Sequence, residues 1–462
     1  MSFHSINPAN GQLLKIYLPH TDAEVRQSLQ HAVTAFQTWR HTPIQHRSAC
    51  MRNAATLLRE RKHKYGLLIT REMGKPVSQS VAEVEKCALG CDHYAMHAEK
   101  YLAAEGVKGT ANESYVVFEP LGVILAVMPW NFPFWQVFRF AAPALMAGNA
   151  GLLKHASNVC GCALAIEEVF IEAGFPAGLF KSLLLESSRV AILVAQPEIS
   201  AVTLTGSGPA GAAVASAAGS SLKKSVLELG GNDAYVVLKD ADLQLAARVC
   251  TLSRMNNAGQ TCIAAKRFIV EESVQKQFEA LVREQVSLYQ TGDPENESTK
   301  MGPLARPDLR EELQRQVDAS IALGANLVLG GQIPDGPGAF YPATLLTNVT
   351  PDMPAFREEL FGPVASIIPA KDEASAIELA NDSVFGLGAA VFSRDIAKAK
   401  TIAATQLEAG TCVVNDFVRS DPLLPFGGIK QSGYGRELSY FGMREFVNVK
   451  SVYVGVTQSG VK

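Results

Sequence analysis

From Gly122 onward the sequence alternates short apolar runs with longer amphipathic runs, and this alternation limits the folds open to the chain. Apolar runs predict strands, and the segments between them have the spacing of helices. Repeated β–α units predict parallel sheets covered by helices on both faces. The first predicted strands are 123–128, 151–154, 180–184, 201–205 and 235–238, with helices at 137–147, 161–173 and 211–219. A second β/α series runs from 267–270 to 396–405, so we expect an α/β fold with two doubly wound sheets.

The chain has 462 residues, and chains longer than roughly 250–300 residues divide into domains. We predict one domain from 1–100 together with 120–228, and a second from 229–440. Residues 101–119 alternate around a polar turn, and the C-terminal segment 441–462 contains a second alternating stretch. Alternation of this kind is typical of strands. We therefore predict a β-hairpin arm from 101–119 and 441–462 that pairs with another subunit.

Composition excludes several classes of protein. The net charge is −3 and 19% of residues are charged, which provides no basic surface for nucleic acid and no polybasic patch for a membrane. No apolar run approaches the roughly 20 residues of a membrane helix, and the first residues lack a signal-peptide pattern. Eight cysteines in so long a chain are not a disulfide framework, and their spacing does not indicate a metal site. We expect a cytoplasmic enzyme that binds neither nucleic acid nor metal.

The stretch 256–262 contains one cysteine, Cys262, between a helical pattern and a strand pattern. Its neighbours are small or amide-bearing, and Gly259 allows close approach of the backbone. A thiolate nucleophile needs hydrogen-bond donors or positive charge nearby. A buried cysteine acting as a small apolar residue is an equal alternative from this stretch alone. All nine histidines lie at or before His155, so a Cys–His pair would have to form between the domains.

Other motifs follow predicted strands, where α/β proteins bind ligands. Residues 205–211 match G-x-G-x-x-G before a helix, which predicts a phosphate site or a packed turn. Asn131, between two prolines, could donate to a developing oxyanion or belong to a turn. Lys154 ends a strand and could bind ribose or phosphate, or lie at the surface. Glu228, before paired glycines, could be a general base.

Together these motifs resemble the NAD(P)-dependent aldehyde dehydrogenase superfamily over nearly the whole chain. The resemblance also includes 259–262, Glu359 with Phe361 to Pro363, and 425–433, in family order and spacing. It implies that 1–100 with 120–228 binds the dinucleotide and that 229–440 carries the catalytic cysteine. It also implies that this family binds its dinucleotide without relying on the G-x-G-x-x-G match.

The resemblance assigns roles residue by residue. Cys262 is the nucleophile, Asn131 and the Cys262 N–H form the oxyanion hole, and Glu228 is the general base. The implied steps are thiolate attack, hydride transfer to nicotinamide and hydrolysis of a thioester. The implied cofactor ligands are Trp130, Lys154, Ser157, Gly206, Ser207, Gly211, Leu229, Glu359 and Phe361.

Family members that are strict for NAD often carry an acidic residue three positions after the lysine, where this chain has Ser157. An acidic residue there repels a 2′-phosphate, and serine does not. Lys154 and His155 could favour that phosphate. We therefore expect both NAD and NADP to serve as cofactors.

Arg139 resembles an arginine that binds the distal carboxylate in succinate semialdehyde dehydrogenases. Ser420 matches a serine of that subfamily, and Arg419 is a second candidate cation. Arginine suits carboxylates because its planar fork forms paired hydrogen bonds. Asn256 stands where the subfamily has another arginine. A structural salt bridge is the alternative for Arg139.

The expected activity is NAD(P)-dependent oxidation of succinate semialdehyde by a homodimer or homotetramer. Glutarate semialdehyde or a general aliphatic aldehyde is the alternative substrate. A CoA-acylating dehydrogenase is disfavoured because Glu228 supplies a water-activating base. A cofactor-free thiol hydrolase is the alternative from another class, and it would need a histidine beside Cys262.

Overall fold

The structure is a computed structural model that describes residues 2–108 and 113–455. Most of the turn predicted after Lys108 and the end of the C-terminal segment lie outside these residues. The first part of the chain contains β1 (Phe3–Ile6), β2 (Leu13–Tyr17), α1 (Asp22–Trp39), α2 (Ile44–Glu60), α3 (Lys62–Met73), α4 (Val77–Tyr101), β3 (Glu105–Gly106), β4 (Glu113–Pro120), β5 (Val123–Met128), α5 (Trp135–Met146), β6 (Ala150–His155), α6 (Cys160–Glu172), β7 (Phe180–Ser182), α7 (Val190–Val194), β8 (Ile199–Thr205), α8 (Gly208–Ser220) and β9 (Lys224–Glu228).

The second part of the chain continues the alternation of strands and helices. It contains β10 (Ala234–Val237), α9 (Leu243–Met255), β11 (Arg267–Glu271), α10 (Glu272–Ser287), α11 (Pro307–Ala322), β12 (Asn326–Leu329), β13 (Thr344–Thr347), α12 (Pro354–Arg357), β14 (Val364–Ala370), α13 (Glu373–Asn381), β15 (Phe385–Gly386), β16 (Gly388–Phe392), α14 (Ile396–Thr405), β17 (Thr411–Val414), β18 (Ile429–Lys430), β19 (Gly433–Tyr434), α15 (Ser439–Arg444) and β20 (Val447–Val454).

Two large sheets confirm the predicted α/β class. The first has six strands in the order β19-β9-β8-β5-β6-β7, parallel except for β19. The second has seven, in the order β12-β13-β14-β11-β10-β16-β17, parallel except for β12. The interior strands β6 and β10 are buried along their whole length. Helices cover both faces of such sheets, which is why these strands read as continuous apolar runs.

Several details differ from the sequence prediction. The strand predicted at 235–238 was grouped with the first series, but β10 belongs to the second sheet. Strands β9, β13, β14 and β17 were not predicted, and the apolar run of β9 is short because its first residue, Lys224, is exposed. The predicted boundary near Glu228 falls between β9 and β10, which lie in different sheets. Strand β19 returns from late in the chain to pair with β9. The division into domains stays a prediction.

The N-terminal helices pack around the first sheet. Helix α1 begins at a capping box, in which Thr21 Oγ1 accepts from the Glu24 N–H and Glu24 Oε2 accepts from the Thr21 N–H at 2.7 Å. Helix α4 is the longest, with 25 residues, and it packs against α5 beside the first sheet.

A separate three-stranded sheet has the order β20-β4-β3, all antiparallel. Its strands come from the two segments predicted to form the arm. The outer strand β20 exposes Val449 and Tyr453, with 61% and 74% of their surfaces accessible. Within 2–108 and 113–455, no helix combines the length and apolar character that crossing a membrane requires.

Candidate active site

The predicted site residues converge because parallel strands end at one edge of the sheet. Strand β5 ends at Met128, directly before the segment that carries Asn131. In the neighbouring strand β6, Lys154 pairs with Val127. On the other side, β8 ends at Thr205, which pairs with Glu228 at the end of β9. Four separate motifs are therefore brought to one edge.

The segment between α9 and Cys262 has an unusual backbone. Asn257, Ala258 and Gly259 have consecutive positive φ angles of 54°, 51° and 73°. Non-glycine residues in this region store strain, which clusters at functional sites. A Cβ on Gly259 would overlap the Gly362 carbonyl oxygen, so only glycine fits. This contact places the cysteine loop against the segment that carries Glu359.

Arg254 holds these two segments together from a fully buried position. Its Nη2 donates to the carbonyl oxygens of Gly259 at 2.7 Å and Leu360 at 3.1 Å. Arg254 is the basic residue nearest to Asn256 along the chain, but its guanidinium bonds to the backbone and does not border a cavity. It therefore does not replace the arginine that is absent at Asn256.

Cys262 lies where two cavities meet. One cavity has a volume of about 610 Å³ and the other about 380 Å³, and both are lined by Cys262 and Gln136. Burial raises the pKa of the Cys262 thiol to about 12, while Arg139 and Lys266 oppose that rise. Before any ligand binds, the group at the junction is therefore a neutral thiol at neutral pH.

Lys266 hydrogen-bonds to the backbone on both sides of the Thr261–Cys262 peptide bond. Its buried Nζ donates to the carbonyl oxygens of Cys262 at 2.6 Å and Thr261 at 3.1 Å. It also pairs with Glu359 Oε1 at 3.2 Å. Lys266 therefore links the backbone of the cysteine to a predicted cofactor ligand. The sequence analysis did not identify it.

Asn131 is buried beside the cysteine loop. The Nδ2 of Asn131 donates to the Gln260 backbone carbonyl oxygen at 3.1 Å. The backbone carbonyl oxygen of Asn131 accepts from Asn257 Nδ2 at 2.9 Å. An amide nitrogen has two hydrogens, so one remains free to donate. Within the described residues the Cys262 N–H also donates to no protein acceptor. The two donors predicted for an oxyanion hole are thus both free.

Glu228 is buried, and its carboxyl oxygens have no hydrogen-bond partner among the described residues. Burial raises its pKa well above the usual value, Arg139 and Arg436 oppose that rise, and Glu437 adds to it. Burial therefore favours the protonated form of this carboxyl group. It does not line either cavity, so its action as a base on water requires both deprotonation and a side-chain movement.

The smaller cavity is lined by most of the predicted cofactor ligands. Phe361 packs edge-on against Trp130 with ring centroids 5.8 Å apart. Glu359 Oε1 accepts from the Gly231 N–H at 3.1 Å. The predicted ligands in this wall are Trp130, Gly206, Ser207, Leu229, Glu359 and Phe361. Aromatic rings, a carboxylate for ribose hydroxyls and the N-terminus of α8 fit the parts of a dinucleotide.

Two other predicted ligands lie beyond this wall. Lys154 is buried at the end of β6, where its Nζ donates to Ser187 Oγ at 3.2 Å and keeps two hydrogens free. Ser157 is exposed at the turn before α6. Both residues lie at or just after the C-terminal end of β6. They therefore extend the site from the cavity towards the surface.

The structure adds detail at His155 and Gly211. His155 was expected to favour a 2′-phosphate together with Lys154, but both of its ring nitrogens lie within hydrogen-bond distance of backbone carbonyl oxygens, those of Met128 and Pro133. Burial lowers its pKa to about 4, so the ring is neutral. A Cβ on Gly211 would overlap Leu229, so this glycine allows close packing of α8 against Leu229. Its role as a cofactor ligand stays a prediction.

The larger cavity contains the predicted substrate residues. Arg139 is 2% exposed and forms an ion pair with Glu437, which is the salt bridge considered as an alternative. It also donates to Thr205 Oγ1 at 3.1 Å. Arg419 pairs with Asp416 at 2.7 Å and is largely exposed. Arg139 and Arg419 both line the cavity, but each already has a carboxylate partner.

Ser420 is buried in the same wall. Its Oγ accepts hydrogen bonds from Lys86 Nζ at 2.6 Å and from Trp135 Nε1 at 2.9 Å. His93 also borders this cavity, but its Nε2 is 3.2 Å from the Tyr101 hydroxyl and makes no hydrogen bond with Cys262. The histidine that a thiol hydrolase needs is therefore not paired with the cysteine among the described residues.

Several site residues escaped the sequence analysis. Lys86 resembles an ordinary surface charge on a helix, and Glu437 belongs to no motif. Gln136 lies five positions after Asn131 and is buried with an unpartnered Oε1 between the two cavities. The position of Gln136 next to a motif was the only available signal. Within the described residues, no cluster of three histidine, cysteine, aspartate or glutamate side chains could hold a metal ion.

Comparisons with known proteins agree with this arrangement. The model of the aldehyde dehydrogenase family matches residues 1–452. A probable succinate-semialdehyde dehydrogenase [NADP(+)] of Synechocystis sp. is 50% identical over 454 residues, covering 98% of this chain and 100% of the relative. The succinate semialdehyde dehydrogenase [NAD(P)+] of Escherichia coli is 48% identical over 450 residues, covering 97% of each chain.

A solved structure gives the same result for the fold. The crystal structure of succinic semialdehyde dehydrogenase from Streptococcus pyogenes, in complex with NADP+, superimposes with a TM-score of 0.96. It is 38% identical and covers 98% of this chain and 100% of that chain. The similarity thus includes both sheets and the arm.

Proposed function

Because the chain belongs to the aldehyde dehydrogenase family, we propose that it oxidises succinate semialdehyde to succinate with NADP or NAD. The observation that carries the proposal is the position of Cys262 between two cavities of different chemistry. One contains cations and a serine suited to a carboxylate, and the other contains ligands suited to a dinucleotide. The names of the relatives from Synechocystis sp. and Escherichia coli support the same substrate.

In the proposed mechanism Cys262 is the nucleophile, and its thiol must lose a proton before attack because burial raises its pKa to about 12. Sulfur attacks the aldehyde carbon, and the free hydrogen of Asn131 Nδ2 with the Cys262 N–H stabilises the alkoxide. The bound dinucleotide supplies the hydride acceptor. Glu228, once deprotonated, takes a proton from the water that hydrolyses the thioester on Cys262.

For the cofactor we propose that Glu359 and Lys154 bind ribose hydroxyls and that Ser207 binds phosphate at the start of α8. Phe361 and Trp130 form the wall beside the nicotinamide end. Ser157 leaves room for a 2′-phosphate, so both cofactors are expected to work. A Ser157→Glu variant should lose activity with NADP and keep it with NAD.

The direct test is the formation of reduced nicotinamide after mixing the protein with NADP or NAD and succinate semialdehyde. Wild type should convert succinate semialdehyde with a higher kcat/KM than butyraldehyde, which has the same carbon chain without the carboxylate. Glutarate semialdehyde distinguishes the alternative substrate by one methylene. Equal kcat/KM values for all three would refute the proposed substrate and favour a general aldehyde dehydrogenase.

We also propose that the protein acts in the cytoplasm as a homodimer or homotetramer through the arm β20-β4-β3. Strand β20 is the outer strand of this sheet, so its outer edge offers unpaired backbone groups to a second subunit. Its exposed Val449 and Tyr453 support the same interface. Analytical ultracentrifugation should detect an oligomer, and a monomer at micromolar concentration would refute the proposal.

A further inference from the structure

The cationic side chains around the larger cavity differ in whether a carboxylate is paired with them. Arg139 faces the carboxylate of Glu437, and Arg419 faces that of Asp416. Asn256, at the same cavity, contributes a neutral amide. A guanidinium that already pairs with a carboxylate has less to offer a second one. The cation that binds a charged substrate should therefore be sought elsewhere in this wall.

Lys86 projects from α4 into the same cavity. Its Nζ lies 4.2 Å from the centroid of the Trp135 ring and donates to Ser420 Oγ at 2.6 Å. Across the described parts of the chain, no carboxylate lies within ion-pair distance of this ammonium. An ammonium group has three donors, so two remain available.

Ser420 is arranged to complement this lysine. Both of its acceptor positions are used, one by Lys86 and one by Trp135 Nε1 at 2.9 Å. Its hydroxyl hydrogen is therefore left to donate. Lys86 and Ser420 together present N–H and O–H donors to the cavity, which is the chemistry that a carboxylate requires.

We infer that Lys86, together with the Ser420 hydroxyl, binds the distal carboxylate of the semialdehyde and determines the preference for it. The inference rests on the proposed function and extends it. One carboxylate oxygen accepts from the ammonium and the other from the hydroxyl. Trp135 holds both groups in place, through its ring face and its indole N–H.

The electrostatics of the cavity support a charged Lys86 that lacks a strong partner. Burial lowers its pKa to about 8, Arg139 lowers it further, and Glu83 and Asp421 oppose this. The group is still mostly protonated at neutral pH. A bound carboxylate would compensate a charge that the cavity wall leaves without a close partner. The charged or titratable groups around Lys86 are Glu83, Cys87, His93, Arg139, Arg419 and Asp421.

The test replaces Lys86 and compares two aldehydes. Lys86→Met should lower kcat/KM for succinate semialdehyde by about 10- to 100-fold, the range for a lost charge-assisted hydrogen bond. The value for butyraldehyde should stay within about twofold, because butyraldehyde has no carboxylate that could accept a hydrogen bond from Lys86. Lys86→Arg should retain most of the preference. Lys300, an exposed lysine whose Nζ lies 6.0 Å from the Tyr289 ring centroid, provides the matched control Lys300→Met.

The pH dependence gives a readout that a purely structural lysine would not produce. The ratio of kcat/KM for the two aldehydes should be high near neutral pH and fall as pH rises through about 8, where Lys86 loses its charge. Steps common to both substrates cancel in the ratio. In Lys86→Met the ratio should be low and independent of pH. If that variant does not fold, Ser420→Ala tests the same preference by removing the hydroxyl donor.

The outcomes separate this inference from the proposed function. If wild type prefers succinate semialdehyde and Lys86→Met loses that preference, both stand. If wild type has the preference and Lys86→Met lowers kcat/KM for both aldehydes equally, or for neither, the role of Lys86 is refuted and the proposed function stands. If wild type itself has no preference for succinate semialdehyde, the proposed substrate fails, and the role of Lys86 fails with it.

Discussion

Replacement of Glu228 by glutamine separates the two halves of the proposed reaction. The side chain is 2% exposed, and burial raises its pKa well above the usual value, which favours the neutral acid in the folded protein. Glutamine has nearly the same shape as that neutral acid. The fold should therefore tolerate Glu228→Gln, while the protein loses the base that activates water.

A general base typically contributes about 10²–10⁴-fold to a rate, so hydrolysis of the thioester should slow by that factor. Attack by Cys262 and the first reduction of nicotinamide do not need this base in the proposed mechanism. Rapid mixing should therefore show a burst of reduced nicotinamide close to one per subunit, followed by slow turnover. Mass spectrometry of the intact protein should detect a succinyl group on Cys262.

The same variant has a stability prediction whose sign follows from the raised pKa. The unfolded chain ionises this carboxyl above its ordinary pKa of about 4.3, whereas the folded chain keeps it protonated to higher pH. Ionisation therefore favours the unfolded state as pH rises. Glutamine does not ionise, so the variant does not lose stability in this way as pH rises. The melting temperature of Glu228→Gln should therefore exceed that of wild type at about pH 8 and approach it at about pH 4.

Glu72→Gln is the matched control, since Glu72 is also buried with a raised pKa but belongs to α3, where its carboxylate accepts from the Cys162 N–H in α6 and lines neither cavity. It should change stability without accumulating acyl-enzyme. Near-wild-type turnover by Glu228→Gln, with no burst and no added mass, would refute the role of Glu228 as the base.

Three further substitutions test the geometry. Asn131→Ala removes a predicted oxyanion donor and should lower kcat by about 10²–10³-fold; near-wild-type kcat would exclude that role. Gly259→Ala places a Cβ against the Gly362 carbonyl oxygen and should abolish activity and lower the melting temperature, whereas a normal melting temperature would contradict the close approach. Arg139→Ala leaves Glu437 buried without its partner and should destabilise the fold by about 3–5 kcal/mol, measured by denaturant unfolding. If Arg139 also binds substrate, KM for succinate semialdehyde should rise more than KM for butyraldehyde, and equal rises would leave it a structural salt bridge.

Periodicity predicted most of the fold because it reports burial along each element. Interior strands of the two large sheets, such as β5 and β6, are buried on both faces, so they appear in the sequence as apolar runs. Strand β9 did not follow this rule because it starts with the exposed Lys224. The assignment of β10 to the second sheet also could not be predicted, because strand order depends on crossovers and not on composition.

The motifs predicted which residues gather at the strand ends, and Cys262, Asn131, Glu359 and Phe361 do line the cavities. Residue type alone did not reveal which charged side chains of the site form ion pairs with one another. The sequence left open whether Arg139 binds substrate or forms a salt bridge, and the structure pairs it with Glu437, nearly 300 positions away. Such a pairing leaves no local pattern.

The sequence by itself determined the α/β class, most strands of the first large sheet and the identity of the cysteine motif, because these depend on local periodicity and local spacing. Only the tertiary structure decided which charges are compensated, since an ion pair or a cavity wall depends on residues distant in the chain. Burial around Cys262 and Glu228, the pairing of Arg139 and the position of Lys86 beside Ser420 all belong to this second kind. They determine how the site can act and which carboxylate it can bind.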